Sequence, residues 1–260
     1  MTNIDFSKSE QYILSIRLSA DGFSFSIHHP QNEGEFLYDS FAVNASYSMT
    51  ANIKKMIATI EAFKYTYLET NVLIDTLRYT SIPFDLFEDE QADELFYQNF
   101  QPNANEIVLC NILGKSNVAL LFGMDKHAHQ SLAEHFPHVR IFACVSPLIE
   151  LFAQKSKGEH CRKLYTHFRK QQMEVFAFDK EKLLLMNSFS CKQTTDQVYY
   201  LLYIWQQLGF HQEKDQLWLT GTINAQEELL TELNKFLRQV NLLPTQEPLP
   251  FDLQTLMSCE

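Results

Sequence analysis

The residue types that could do chemistry are scattered, and the densest group is histidine: His127, His129, His135 and His138, with Pro137 between the last two. Zinc held on a helix needs ligands one turn apart, at i and i+4, as in H-E-x-x-H. His127 and His129 point about 200° apart on a helix, and Pro137 breaks the turn before His138. The group reads as a helix surface, and no metal is expected. His28-His29 precedes Pro30 at a strand end and reads as turn chemistry. The six acids Asp85, Glu88, Asp89, Glu90, Asp93 and Glu94 lack the alternating oxygens and central glycine of a calcium loop. They read as a solvated helix face or loop.

Nucleophilic and phosphate chemistry find little support. Cys110, Cys144, Cys161, Cys191 and Cys259 contain no C-x-x-C. An odd count without an export signal predicts reduced thiols in a cytoplasm, most of them packed as small hydrophobes. No G-x-S-x-G occurs. A Ser/His/Asp set is spatial rather than sequential, and none is assigned. Phosphate-cradling loops need glycine, because the backbone must approach the ligand or take φ > 0. The chain has only 7 glycines in 260 residues and neither G-x-G-x-x-G nor G-x-x-x-x-G-K-[ST].

Bulk properties narrow the classes further. With 45% apolar and 13% aromatic residues the chain can bury a substantial core. A net charge of −11 opposes a phosphate backbone or anionic lipid, so neither nucleic acid nor membrane is an expected partner. Residues 1–11 hold no apolar leader, and the run Val118–Met124 is far shorter than the roughly 20 residues of a membrane helix. A cytoplasmic protein is expected.

The elements that would position any site form a repeat. Tyr12, Leu14, Ile16 and Leu18 alternate as a strand. Asp21-Gly22 is a hairpin signal, Phe23, Phe25 and Ile27 alternate in a second strand, and Phe36–Phe41 is a third. Ile53, Met56, Ile57, Ile60 and Phe63 then mark an amphipathic helix, and Val72-Leu73-Ile74 a further strand. The same order returns later. Leu164 and Phe168 lie in one strand, and Met173–Phe178 form the next. Leu184–Phe189 matches Phe36–Phe41 at an offset of 148. The helix of Val198, Leu201, Leu202, Trp205 and Leu208 matches at 145, and Leu217-Trp218-Leu219 matches Val72-Leu73-Ile74 at 145. The expectation is a duplicated βββαβ unit: an α/β protein of two lobes with mixed sheets. The first lobe spans 1–157 with an inserted region at about 84–124, and the second spans 158–260. Within the insert, Glu106–Cys110 and Val118–Phe122 read as a strand pair. Tyr199, Tyr200, Tyr203 and Trp205 ring the second helix and predict burial on several sides.

This double βββαβ plan resembles the actin-like ATPase superfamily, whose two ribonuclease-H-like lobes flank a nucleotide cleft. The nearest branch holds bacterial pilus-assembly and cell-division actin homologues. Leu132–Phe136, Val139–Ala143 and Pro147–Phe152 look like that branch's helix, strand and helix closing the first lobe. Leu217–Gly221 running into Gln226–Leu237 looks like its adenosine-binding turn, and Val240–Pro244 like the last strand. The plan is also similar to a bacterial family of unknown function. In the superfamily the first hairpin carries an acid at the end of strand one and a glycine-rich phosphate turn. Here strand one ends Ile16-Arg17-Leu18-Ser19-Ala20, and Asp21 sits in the turn. The second hairpin, Tyr165–Gln171, has neither Asp nor Gly, and the adenosine turn is Gly221-Thr222 instead of paired glycines.

The resemblance thus implies a degenerate nucleotide cleft around Asp21, Gly22, Gly221 and Thr222. It implies no bound cofactor, no catalytic residues, and a pseudo-ATPase acting as a protein-binding scaffold, with self-association left open. The alternative is a divergent ATP-binding protein or weak ATPase that recruits acids from Asp21, Asp75 or Asp196.

Overall fold

The computed structural model describes residues 4–20, 22–246 and 248–258. These form two compact units, one within Met1–Asn111 and Ala119–Ser146, the other within Ile112–Val118 and Pro147–Glu260.

The first unit opens with three antiparallel strands, β1 (Ile13–Ser19), β2 (Gly22–His29) and β3 (Asn32–Phe41). Helix α1 (Met49–Thr59) then crosses to β4 (Glu69–Ile74), which runs parallel to β1. Ser48 caps α1 by accepting from the Ala51 N–H at 3.2 Å. The helix ends at Thr59, because Ile60 takes an extended backbone (φ −86°, ψ 118°). Phe63, expected on that helix, sits instead on a short 3-10 turn, Glu61–Lys64. It still reaches the core, edge-on to Phe25 at 5.0 Å and Phe136 at 5.7 Å. The insert supplies β5 (Tyr79–Pro83), α2 (Ala92–Tyr97), β6 (Glu106–Leu113) and β7 (Val118–Asp125), with the three strands in the order β5-β7-β6. Sequence patterning anticipates the β6–β7 pair but not β5. The six acids at 85–94 are exposed, as expected. Helix α3 (Lys126–His135) and β8 (Arg140–Ala143) complete a sheet ordered β3-β2-β1-β4-β8.

The second unit repeats the plan. After α4 (Val145–Ser156) come β9 (Lys163–Arg169), β10 (Gln172–Asp179), β11 (Lys182–Ser190), α5 (Thr194–Gln207), β12 (Gln216–Gly221), α6 (Gln226–Leu233), β13 (Val240–Leu242) and α7 (Phe251–Ser258). The sheet order β11-β10-β9-β12-β13 reproduces that of the first unit, including two antiparallel then two parallel pairings. No helix among the described residues is long and apolar enough to cross a membrane.

The strand registers correct the repeat alignment. Ser19 faces Gly22 across the first hairpin, and Arg169 faces Gln172 across the second. Gly22 therefore corresponds to Gln172, not to Lys170 as the 148 offset implied. Leu18 pairs with Ile74 and Phe168 with Gly221. So Val72-Leu73-Ile74 corresponds to Leu219-Thr220-Gly221, two residues later than Leu217-Trp218-Leu219. Both alignments keep the same side chains inward, because a strand repeats every two residues. Apolar pattern alone could not separate them. Helix α5 is a second correction. Trp205 is buried, but Tyr199 and Tyr203 are 62% and 50% exposed, and stack on one another.

Two local constraints yield predictions. Arg78 forks onto both Glu106 oxygens at 2.7 and 2.8 Å and lies 5.6 Å over Phe96 and 5.0 Å over Phe100. Glu106 holds that guanidinium above its ordinary pKa. A Cβ at Gly123 on β7 would fall 2.3 Å from the Glu106 carboxylate. Gly123→Ala should lower stability by about 2–3 kcal/mol in urea denaturation, through displacement of this pair. Cys191 is buried, and burial pushes its thiol from 9.0 up to about 11. Its thiolate fraction near neutrality should be about 100-fold below that of a free cysteine, so iodoacetamide should spare it in native protein and label it in urea.

Candidate functional site

The two hairpin ends are where the resemblance placed phosphate chemistry, and polar side chains meet near each of them. In the second unit, β9 and β10 present His167, Arg169 and Glu174 on one face of the sheet. Glu174 is directly opposite His167 in the ladder and is fully buried. Its Oε2 lies 2.9 Å from His167 Nδ1, and its Oε1 is in direct contact with the Arg169 guanidinium. A carboxylate out of water needs such partners, since an isolated buried charge is strongly unfavourable. Phe251 of α7 lies against the His167 ring, with centroids 5.9 Å apart. Further along the same face, Phe152 of α4 stacks on Tyr165 at 4.3 Å, and burial pushes the Tyr165 hydroxyl well above the usual phenol range.

Gly221 ends β12 against this network. Its φ is +86°, and a Cβ there would stand 2.3 Å from the Phe168 carbonyl oxygen and 2.8 Å from His167 Cδ2. The next N–H, of Thr222, donates to the Phe168 carbonyl at 2.9 Å. Glycine at 221 is thus required by the close approach of β12 to β9 and by a left-handed backbone. Gly221 and Thr222 are together at this edge.

In the first unit, Gly22 opens β2 opposite Ser19, and Asp21 lies outside the described residues. Asp75 follows β4 in the place that Thr222 holds after β12, and its N–H donates to Leu18 O at 3.0 Å. Its carboxylate accepts from the Ser19 hydroxyl at 2.7 Å and stands 3.9 Å from Arg17. Arg17 is 8% exposed although it is charged. By ladder position, Arg17, Ser19 and Ser24 correspond to His167, Arg169 and Glu174. The sheet thus holds a basic side chain at the same place in both units, with the acid supplied by β10 in one and by the residue after β4 in the other.

The remaining candidates have structural roles. Asp196 sits in the first turn of α5, where its carboxylate accepts from the N–H groups of Lys192 and Gln193, both at 3.2 Å. The histidines disperse: His135 Nε2 meets Phe63 O at 2.9 Å, and His138 has a left-handed φ of 62°. No group of three or more His, Cys, Asp or Glu able to hold a metal occurs among the described residues. His29 Nδ1 accepts from Gln31 N–H at 3.1 Å, the expected turn chemistry, whereas His28 is buried in β2. Sequence reasoning missed Arg17, His167, Arg169 and Glu174 as a set. The available signal was a run of charged residues at alternate positions within otherwise apolar strands.

Two units with this repeated sheet order have the actin-like ATPase fold. The chain belongs to the family described as protein of unknown function (DUF3822), which matches residues 1–240. It is similar to a Bacteroides thetaiotaomicron protein with actin-like ATPase fold and unknown function, at 46% identity over 99% of this chain and 100% of that one, with a TM-score of 0.89. It is more distantly similar to the cytoplasmic domain of EpsL, an inner membrane component of the type II secretion system of Vibrio cholerae. There the identity is 12% over 95% of this chain and 93% of that one, with a TM-score of 0.47. A chain of the PilM–PilN type IV pilus biogenesis complex matches at 11% identity over 89% and 88%, with a TM-score of 0.49. No curated protein matches the chain.

Glu174→Ala should cost about 3–5 kcal/mol in urea denaturation, because it removes a fully buried carboxylate that both His167 and Arg169 contact. Gly221→Ala should destabilise by about 2–3 kcal/mol with no nucleotide present, from the backbone clash alone. A Gly221→Ala protein as stable as the wild type would show that the turn has another reason to be glycine.

Proposed function

We propose that this protein is a non-catalytic member of the actin-like fold, a pseudo-ATPase that serves as a protein-binding scaffold. One observation carries the reading: the charged groups at both hairpin ends are engaged within their own units. Phosphate binding at such turns relies on backbone N–H groups approached through glycine, and on an acid able to orient metal and water. Here Asp75 is engaged by Ser19 and Arg17, Glu174 by His167 and Arg169, and Asp196 by the start of α5. Opening either network to admit a triphosphate would strand a buried charge. The protein-binding half of the reading rests on α5, whose exposed Tyr199 and Tyr203 offer large, stiff aromatic area of the kind enriched in interfaces.

Thermal denaturation with millimolar Mg-ATP tests the first half. No rise in Tm is expected, and a rise of several degrees would replace this reading with a divergent ATP-binding protein. The second half predicts that a partner retained by the wild-type chain in crosslinking mass spectrometry is lost from a Tyr199→Ser/Tyr203→Ser variant of unchanged Tm.

A further inference from the structure

The outer face of α5 departs from the rest of the surface in charge. Its exposed residues are Thr195, Tyr199, Tyr203, Gln206 and Gln207, and none is charged. The run Gln197–Gln212 is the longest in the chain without Asp, Glu, Lys or Arg, in a protein of net charge −11. The counterpart of α5 in the first unit is α1, which turns Lys54 and Lys55 outward between Ala51 and Ala58. The same helix in the same sheet plan thus shows solvent two lysines in one unit and two tyrosines in the other. A helix that is apolar on every side is ordinarily buried on every side. Helix α5 buries Leu201, Ile204 and Trp205 inward, yet leaves Tyr199 and Tyr203 outside.

The exposed rings belong to a continuous stack. Phe189 of β11 stacks on Tyr200 at 4.6 Å, Tyr200 meets Tyr199 edge-on at 5.4 Å, and Tyr199 stacks on Tyr203 at 6.1 Å with the planes 16° apart. Each ring restricts its neighbour, so little side-chain freedom is left to lose when this face is covered.

We propose that α5 is a self-association face, on which a second copy of this chain docks about a two-fold axis with the two α5 helices antiparallel. This rests on the reading of α5 as a protein-binding face and names its partner. Charge selects the occupant. Two copies at −11 each repel one another, and this face brings them together with no exposed charged side chain of α5 in the contact. The stripe is also self-complementary. An axis passing midway between Tyr199 and Tyr203 sets each Tyr199 against the partner's Tyr203, where offset ring stacking is favourable. The same register sets the Thr195 hydroxyl toward the partner's Gln207 amide. Antiparallel packing opposes the two helix dipoles. A contact of this isologous kind closes at two copies.

Sedimentation velocity of the purified full-length chain, from about 1 to about 100 µM, tests the proposal. A single monomer–dimer equilibrium is expected, and Tyr199→Ser/Tyr203→Ser should weaken it about tenfold or more at unchanged Tm. Tyr199→Lys and Tyr203→Glu should each be monomeric alone and dimerise when mixed, because the antiparallel register puts the two opposite charges face to face. A monomeric wild type, association that continues past the dimer, or a mixture that stays monomeric would overturn the proposal. The scaffold reading fails or stands separately. A monomeric wild type whose crosslinked foreign partner is still lost from the double serine variant would overturn self-association and leave that reading in place.

Discussion

In each unit the central strand is hydrogen-bonded on both edges and covered on both faces. Every residue of β1 is buried, and all but the last of β9 are. Any polar group on such a strand has no water to turn to and must be satisfied by its neighbours in the sheet. This constraint organises much else. It explains why Glu174 is paired on β10 directly opposite His167, and why Asp75 is drawn to Ser19 and Arg17. It also explains why Gly221 has no side chain where β12 closes on β9.

The duplicated plan makes the two solutions comparable. The same ladder position carries Arg17 in one unit and His167 in the other, and its hairpin neighbour is Ser19 or Arg169. Where Thr222 follows β12, Asp75 follows β4. One unit thus draws its acid from beyond the parallel strand, the other from across the antiparallel hairpin. The backbone bond at this point is nearly the same in both: Asp75 N–H to Leu18 O at 3.0 Å, and Thr222 N–H to Phe168 O at 2.9 Å. Backbone topology has been kept while the charges moved. Side-chain pairs can exchange positions as long as each buried charge keeps a partner, whereas ladder bonds cannot be given up inside a sheet.

Legibility in the sequence followed the strength of the periodic signal. Strands β1, β2, β9 and β10 and the helix faces of Ile53–Met56 and Leu201–Trp205 were readable, because burial imposes a period of 2 or 3.6 on apolar residues. Phe63 fell off its helix because Ile60 takes an extended backbone, and the core accepts a phenyl ring from a 3-10 turn as readily. Tyr199 and Tyr203 looked like core and are not, since an aromatic ring can cover a helix from outside as well as from within. Strand β5 carries little apolar pattern of its own, and its pairing with β7 comes from chain topology.

The sequence by itself determined the duplicated α/β plan and the absence of glycine phosphate-loop motifs. These depend on residue type and local spacing, and local spacing is what secondary structure enforces. Only the tertiary structure decided the register of β4 and β12, the true counterpart of Gly22, and the partners of Arg17, Asp75, His167, Arg169 and Glu174. A shift of two residues leaves the inward face unchanged, so periodicity cannot detect it. Which polar group meets which is set by residues far apart in the chain, as for Ser19 and Asp75, 56 residues apart.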